Sequence, residues 1–307
     1  MVDIALIFPG QGAQKVGMGK ELYEKVPAAK AIFDKAQAVL NNDLINVIFN
    51  GPQEKLTLTA YSQPAIMSFS LAALQAFKQS PKFQNVHVKF AAGLSLGEYS
   101  ALIACGGLSL EDGIRLVQKR GNFMEEACKL EKGKMAAIIG FNKDRLKEIC
   151  RETGAQVANF NSSEQIVISG HAQRVEAAVA VIQKEGAKNI VVLDVAGAFH
   201  SSLMKSAAEK FQTALEPFVI RSLNFPLVTN VTGTSVVDPK VIKENLPKQI
   251  ISSVLWEDSV RFMASQGVTT FIEIGPGKVL KGLIRRIDSA LTVYNIEKPE
   301  DIAALPF

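Results

Sequence analysis

Hydrophobic and polar positions recur with two different periods along this chain, and the switches between them mark its elements. Val86, Val88 and Phe90 alternate with His87 and Lys89, the pattern of a strand with unequal faces. Beyond Ala91-Ala92-Gly93 the period lengthens, and from Leu96 onward Tyr99, Leu102 and Ile103 fall at helix spacing. Asp3–Phe8 reads as a short apolar strand, and Glu21–Leu40 as one amphipathic helix. Pro64 is expected to open a helix to about Phe77, since proline is tolerated in a first turn. Apolar residues nearly encircle that helix, which predicts burial. Ser109 is the expected cap of a helix running to about Cys128.

From Met135 the texture changes. Strand Met135–Ile139, helix Lys143–Glu152, strands Gln156–Phe160 and Gln165–Ser169, helix Ala172–Glu185 and strand Asn189–Leu193 are predicted. That β-α-β-β-α-β order is ferredoxin-like and predicts a small subdomain over 131–194. It interrupts a larger unit formed by 1–130 and 195–307. In the returning segment, Leu203–Leu215 and Trp256–Gln266 read as helices, and Val241–Val254 as a helix divided at Pro247. A short strand begins at Asn224-Phe225-Pro226, runs through Val228 and ends at Asn230, and further strands cover Thr269–Ile274 and Leu291–Ile296, with a helix at Lys278–Ile287 between the last two. Strands alternating with helices predict an α/β fold, with a mainly parallel sheet in the large domain.

At 307 residues the chain can bury a large core, and a net charge of +4 does not suggest a nucleic-acid binder. It is compatible with an acidic partner or a phosphorylated substrate. Cys105, Cys128 and Cys150 are scattered, without metal-ligand spacing, and read as free thiols in a reducing compartment. The apolar start lacks a basic leader and ends at Pro9, and no stretch is long enough to span a bilayer. A cytoplasmic protein, with neither metal nor membrane, is expected.

Gly93-Leu94-Ser95-Leu96-Gly97 between strand and helix is a nucleophile elbow. Side chains at Gly93 or Gly97 would collide with neighbouring backbone, and the turn would lift the Ser95 hydroxyl off the sheet. Serine needs a base. Of three histidines, His87 falls on a polar strand face and His171 enters a helix, while His200 lies in a loop before a helix. His200 is the base by elimination. No Asp or Glu recommends itself to orient it; Asp194 is merely nearby, so a carbonyl is expected in that role. Pro9–Gln14 is glycine-rich but lacks the third glycine of a dinucleotide fingerprint and the Gly-Lys-Ser/Thr of a P-loop. A tight turn and a close backbone approach to a ligand both fit it. Arg120 is the only charge on an otherwise apolar helix stripe, and a structural ion pair, snorkelling and an anion-binding role all fit that placement. The residues thus indicate Ser–His acyl transfer or hydrolysis.

The motifs FPGQGAQ (Phe8–Gln14), GLSLGEY (Gly93–Tyr99), Arg120-Gly121, GAFHS (Gly197–Ser201), Asn230 and EIGPGKVL (Glu273–Leu280) together resemble the malonyl-CoA:acyl-carrier-protein transacylases and the acyltransferase domains of polyketide synthases. The resemblance covers essentially the whole chain. It implies a large α/β-hydrolase-like domain, and malonyl transfer from malonyl-CoA to acyl carrier protein in fatty-acid synthesis, with CoA thioester as substrate and no cofactor. Ser95 would carry the acyl ester and His200 would be base and then acid. The backbone N–H groups of Gln11 and Leu96 would form the oxyanion hole, and Arg120 would bind the malonyl carboxylate. The Gln249 carbonyl would orient His200, and Phe199 resembles the residue of malonyl-selective relatives. Leu94 departs from the family, which carries His before the nucleophile; lying outside the proton-transfer pair, it is expected to leave the mechanism intact. A polyketide-type extender unit, hydrolysis, and a non-catalytic carrier-binding scaffold are the competing readings; retention of Ser95, His200 and Gln11 argues against the last. A monomer is expected. Lys278, Lys281 and Arg285, on one face with Arg286 beside them, fit either a docking surface for the acidic carrier or a solvated basic face.

Overall fold

A computed structural model describes residues 1–187 and 189–307. Strand β1 (Val2–Phe8) alternates between two cores: Ile4, Leu6 and Phe8 enter one, Ala5 and Ile7 the other. A strand buried on both faces needs cover on both sides, and helices supply it. On the first side lie α1 (Lys20–Lys25), α2 (Pro27–Leu40), α3 (Leu44–Asn50), α4 (Gln53–Thr57) and α5 (Thr59–Gln79). The single helix expected over Glu21–Leu40 is two, because Val26 precedes a proline and takes an extended conformation, φ −121° and ψ 102°. The buried helix begins at Thr59 rather than Pro64, and the proline sits inside α5. Burial of Thr59, Ser62 and Gln63 holds the turn that proline was expected to begin.

Strand β2 (Val86–Gly93) leads through the elbow into α6 (Gly97–Ala104), followed by α7 (Leu110–Leu130). The Ser109 hydroxyl accepts from Asp112 N–H at 3.1 Å, as a cap should. Next come β3 (Gly133–Ile139), α8 (Lys143–Thr153), β4 (Gln156–Ser162), β5 (Gln165–His171), α9 (Ala172–Lys184) and β6 (Asn189–Val192). These strands make an antiparallel sheet in the order β4-β5-β3-β6. Ala136 and Ile138 on β3 pack under α8 and α9 in a third core, while Met135 and Ala137 face the main core.

The chain returns through α10 (Lys205–Leu215), β7 (Leu227–Val228), β8 (Ser235–Val236), α11 (Pro239–Ile251), α12 (Trp256–Ser265), β9 (Thr270–Ile274), α13 (Val279–Ile287), β10 (Thr292–Ile296) and α14 (Pro299–Ala303). Pro247 does not divide α11, whose buried Ile242, Leu246 and Ile250 hold both halves against the core. The large sheet runs β10-β9-β1-β2-β7-β8 and is parallel except for β7 with β8. Phe8 pairs with Gly93, so the loops after β1 and β2 emerge side by side at the carboxyl edge of the sheet, where open α/β sheets bind ligands. No helix among the described residues is long and apolar enough to cross a membrane. Cys105, Cys128 and Cys150 are free, and Cys105, which the helical pattern after Ser95 would include, lies just past the end of α6.

Candidate active site

The elbow is tight enough to exclude any side chain at its two glycines. A Cβ on Gly93 would stand 1.9 Å from the Gly97 carbonyl carbon, and one on Gly97 would stand 2.1 Å from Phe8 O. The turn holds Ser95 in the left-handed region at φ 53°, a strained conformation for serine. Asn230, just past β7, staples it from both ends: Oδ1 accepts from Ser95 N–H at 2.7 Å, and Nδ2 donates to Gly93 O at 2.7 Å.

His200 reaches Ser95 from the far side of the cleft. Its Nε2 lies 2.8 Å from Ser95 Oγ. Its Nδ1 lies 2.9 Å from Gln249 O and 3.1 Å from Ser252 O. Carbonyls only accept, so Nδ1 carries the hydrogen and Nε2 is left to take the serine proton. No carboxylate is needed to set the tautomer. Gln249 was expected here from the family pattern; Ser252 was not, and nothing in its sequence context singles out a carbonyl. His200 also has positive φ, 57°, so both members of the pair are held in uncommon backbone conformations. Burial, and then the positive charge of Arg120, lower the His200 pKa from 6.5 to about 4. The other histidines lie elsewhere at the surface, His87 beside Asp3 and His171 beside Glu131.

Arg120 is 1% exposed, which rules out snorkelling. Its contacts are neutral: Nη1 donates to Gln63 Oε1 at 2.9 Å, Nη2 to Gln249 Oε1 at 3.0 Å and to Ser95 Oγ at 3.1 Å. The guanidinium stands over the Tyr99 ring, 5.2 Å from its centroid, and its Nε has no partner among the described residues. The ion-pair alternative left open by the helix pattern therefore fails. A buried cation held by amides, a hydroxyl and a ring keeps its charge uncompensated by direct contact and can receive an anion beside Ser95.

Ser95, Arg120, Gln11, Leu96, Phe199 and His200 all border one cavity of about 730 Å³ between the two sheets. That size suits a small substrate with room for part of a long thioester. No hydrogen bond among the described residues uses the backbone N–H of Gln11 or Leu96. Phe199 is buried against the cavity, and Leu94 packs with the second core. Gln249 does more than offer a carbonyl. Its side-chain Nε2 donates to Ser95 O at 2.9 Å and to Glu98 Oε2 at 2.8 Å.

Glu98 and Gln63 escaped the sequence reading. Each is a long polar side chain in a buried helix, the same signal that drew attention to Arg120.

The whole arrangement has counterparts. The acyl transferase domain model matches residues 5–298. The malonyl CoA-acyl carrier protein transacylase of Bacillus subtilis is 46% identical over 98% of this chain and 96% of that protein. The structure of acyl-carrier-protein-S-malonyltransferase from Bartonella henselae superposes with a TM-score of 0.94 at 41% identity, covering 99% of this chain and 98% of that one. A malonyl-transacylase solved with a type II PKS acyl-carrier protein gives 0.94 at 35% identity, covering 98% of each chain. The chain therefore belongs to the acyl transferase family, among the malonyl CoA-acyl carrier protein transacylases.

Proposed function

We propose that this enzyme transfers malonyl from malonyl-CoA to the phosphopantetheine thiol of acyl carrier protein through an ester on Ser95. The observation that carries this reading is that one oxygen, Ser95 Oγ, is held at once by a base and a buried cation, His200 Nε2 at 2.8 Å and Arg120 Nη2 at 3.1 Å. Ser95 Oγ attacks the thioester carbonyl and its proton passes to His200 Nε2. The oxyanion faces the N–H groups of Gln11 and Leu96, a pair in which each donor typically contributes about 3 kcal/mol. Collapse breaks the C–S bond, and the departing CoA sulfur takes the proton from His200. The carrier thiol then gives its proton to the same nitrogen as it attacks the ester, and the Ser95 hydroxyl is restored.

Arg120 binds the free carboxylate of malonyl. A simple hydrolase has no use for such a grip. All these residues come from one chain, as an enzyme acting as a monomer requires. The large domain is read as α/β-hydrolase-like and the small one as a ferredoxin-like unit; the elbow, the parallel sheet and the order β4-β5-β3-β6 support that reading.

Incubation with malonyl-CoA followed by intact-mass measurement tests the proposal. A malonyl adduct is expected on the native chain and on none of the Ser95→Ala protein, and a carrier protein should remove it. An adduct that survives Ser95→Ala, or none on the native chain, would overturn the reading.

A further inference from the structure

Beside Arg120 the site buries a second ionisable group for which the mechanism above has no use. Glu98, in the first turn of α6, is fully buried. Its Oε2 accepts from Asn230 N–H at 2.8 Å and from Gln249 Nε2 at 2.8 Å, while Oε1 has no partner among the described residues. Burying a carboxylate without a cation in contact is costly, and a core glutamate serving only to fill space would be better replaced by an apolar residue. What this carboxylate does instead can be read from its two donors.

The side-chain amide of Gln249 has two possible orientations. In the observed one, Nε2 faces Glu98 and Ser95 O, which leaves Oε1 to accept from Arg120 Nη2. Turned over, the amide would aim N–H groups at the guanidinium, donor against donor, and an oxygen at the carboxylate. Burial raises the Glu98 pKa to about 7, but two N–H donors hold Oε2 as an acceptor in either form, because a proton would sit on the unpartnered Oε1; Glu98 therefore admits only the observed orientation. Through Asn230 the same oxygen also supports the staple on the elbow, since Asn230 N–H is bound to Glu98 while its side chain holds Ser95 N–H and Gly93 O.

We propose that Glu98 is a positioning residue that sets selectivity for a carboxylated acyl group, by fixing the Gln249 amide so that it holds the Arg120 guanidinium beside Ser95. Glu98 touches no reacting atom. It acts on selectivity because Gln249 supports Arg120, which discriminates malonyl from acetyl, whereas its support of the elbow through Asn230 bears on both acyl groups alike and His200 is oriented by backbone carbonyls. This inference rests on the role given to Arg120 above.

The test compares single-turnover acylation by malonyl-CoA and by acetyl-CoA in Glu98→Gln, Glu98→Asp and Glu98→Ala, with thermal melts. Glu98→Gln keeps an oxygen where Oε2 stands, so its malonyl-to-acetyl ratio should stay within about threefold of native. Glu98→Ala removes the acceptor and should lower the ratio by about tenfold or more. Glu98→Asp withdraws the carboxylate by one methylene without emptying the core of charge; it should lower the ratio in the same direction, and it decides the matter if the alanine variant does not fold. Equal losses with both acyl groups in Glu98→Asp, tracking a lower melting temperature, would overturn the proposal and leave Glu98 purely structural. So would a Glu98→Gln ratio as low as that of Glu98→Asp. Arg120→Ala is the control. If it leaves the ratio at the native value, the role of Arg120 itself fails. If it changes the ratio while Glu98→Asp and Glu98→Ala do not, only the role of Glu98 fails.

Discussion

Arg120 Nη2 and Ser95 Oγ lie 3.1 Å apart, so the buried cation is already in hydrogen-bond contact with the nucleophile. A carboxylate placed against this guanidinium is thereby placed beside Ser95. Removing one partner of a buried charge pair leaves the other desolvated and alone, at about 3–5 kcal/mol. Arg120→Ala should therefore cut malonyl transfer by at least about a hundredfold. Acetyl brings no charge, so its transfer should be spared or improved. Arg120→Lys, which cannot form two parallel bonds, should fall between. Acylation rates with both CoA esters, measured beside the melting temperature, check this; parallel losses with lower stability would contradict it.

His200 is held neutral by its surroundings. Burial, and then Arg120, bring its pKa down to about 4. The base form therefore persists as the pH falls well below 6.5 and is lost only near 4. An NMR titration of the His200 ring should show no change from pH 8 to about 5. Arg120→Ala removes the repulsive charge and should move the midpoint upward. A native midpoint near 6.5 would mean that the site is far wetter than its packing indicates. The same depressed pKa means that the unfolded chain takes up a proton here before the folded one does, so His200 withdraws stability as the pH falls from 6.5 toward 4.

Only this histidine should matter to the chemistry. His200→Ala should abolish most acylation at every pH, while His87→Ala and His171→Ala, whose side chains meet surface carboxylates, should retain it. A crippling effect of His171→Ala in the same acylation assay would contradict the assignment.

Phe199 borders the cavity next to His200 and is buried there. A methyl branch pressed against its ring should cost about 1–3 kcal/mol. Phe199→Ser should narrow the gap between malonyl-CoA and methylmalonyl-CoA by about tenfold, read as a ratio of kcat/KM values. An unaltered ratio would place that selectivity elsewhere on the wall.

Lys278, Arg285 and Arg286 on and beside α13 are exposed and Lys281 is partly so. Burial, and then the charges of Arg285 and Lys278, lower the Lys281 pKa, as expected of crowded cations. Such a face suits an acidic carrier protein. Reversing Lys281 and Arg285 to Glu should raise KM for the carrier, more so at low salt, and leave the malonyl-CoA half-reaction unchanged. Carrier kinetics identical to native at low salt would remove this face from the docking surface.

The residues alone determined whatever depends on near neighbours. Period-two and period-3.6 patterns located the strands of both sheets except the two-residue edge strand β8, too short to show a period, and the two glycines around Ser95 made the elbow legible because its constraint is local. The break at Val26-Pro27 was equally local and was overlooked, while the helix start at Thr59 and the continuity through Pro247 depended on burial that periodicity does not report. The site divides in the same way. Ser95 and His200 stood out by motif and by elimination, and Arg120 by its isolation on an apolar stripe. Which alternative held for Arg120 was decided only by folding, since its partners Gln63 and Gln249 are 57 and 129 residues away. Glu98 lies three residues from the nucleophile, yet its purpose depends on Gln249, 151 residues distant. A buried polar group is defined by what satisfies it, and where satisfaction comes from the far end of the chain, only tertiary structure can supply the answer.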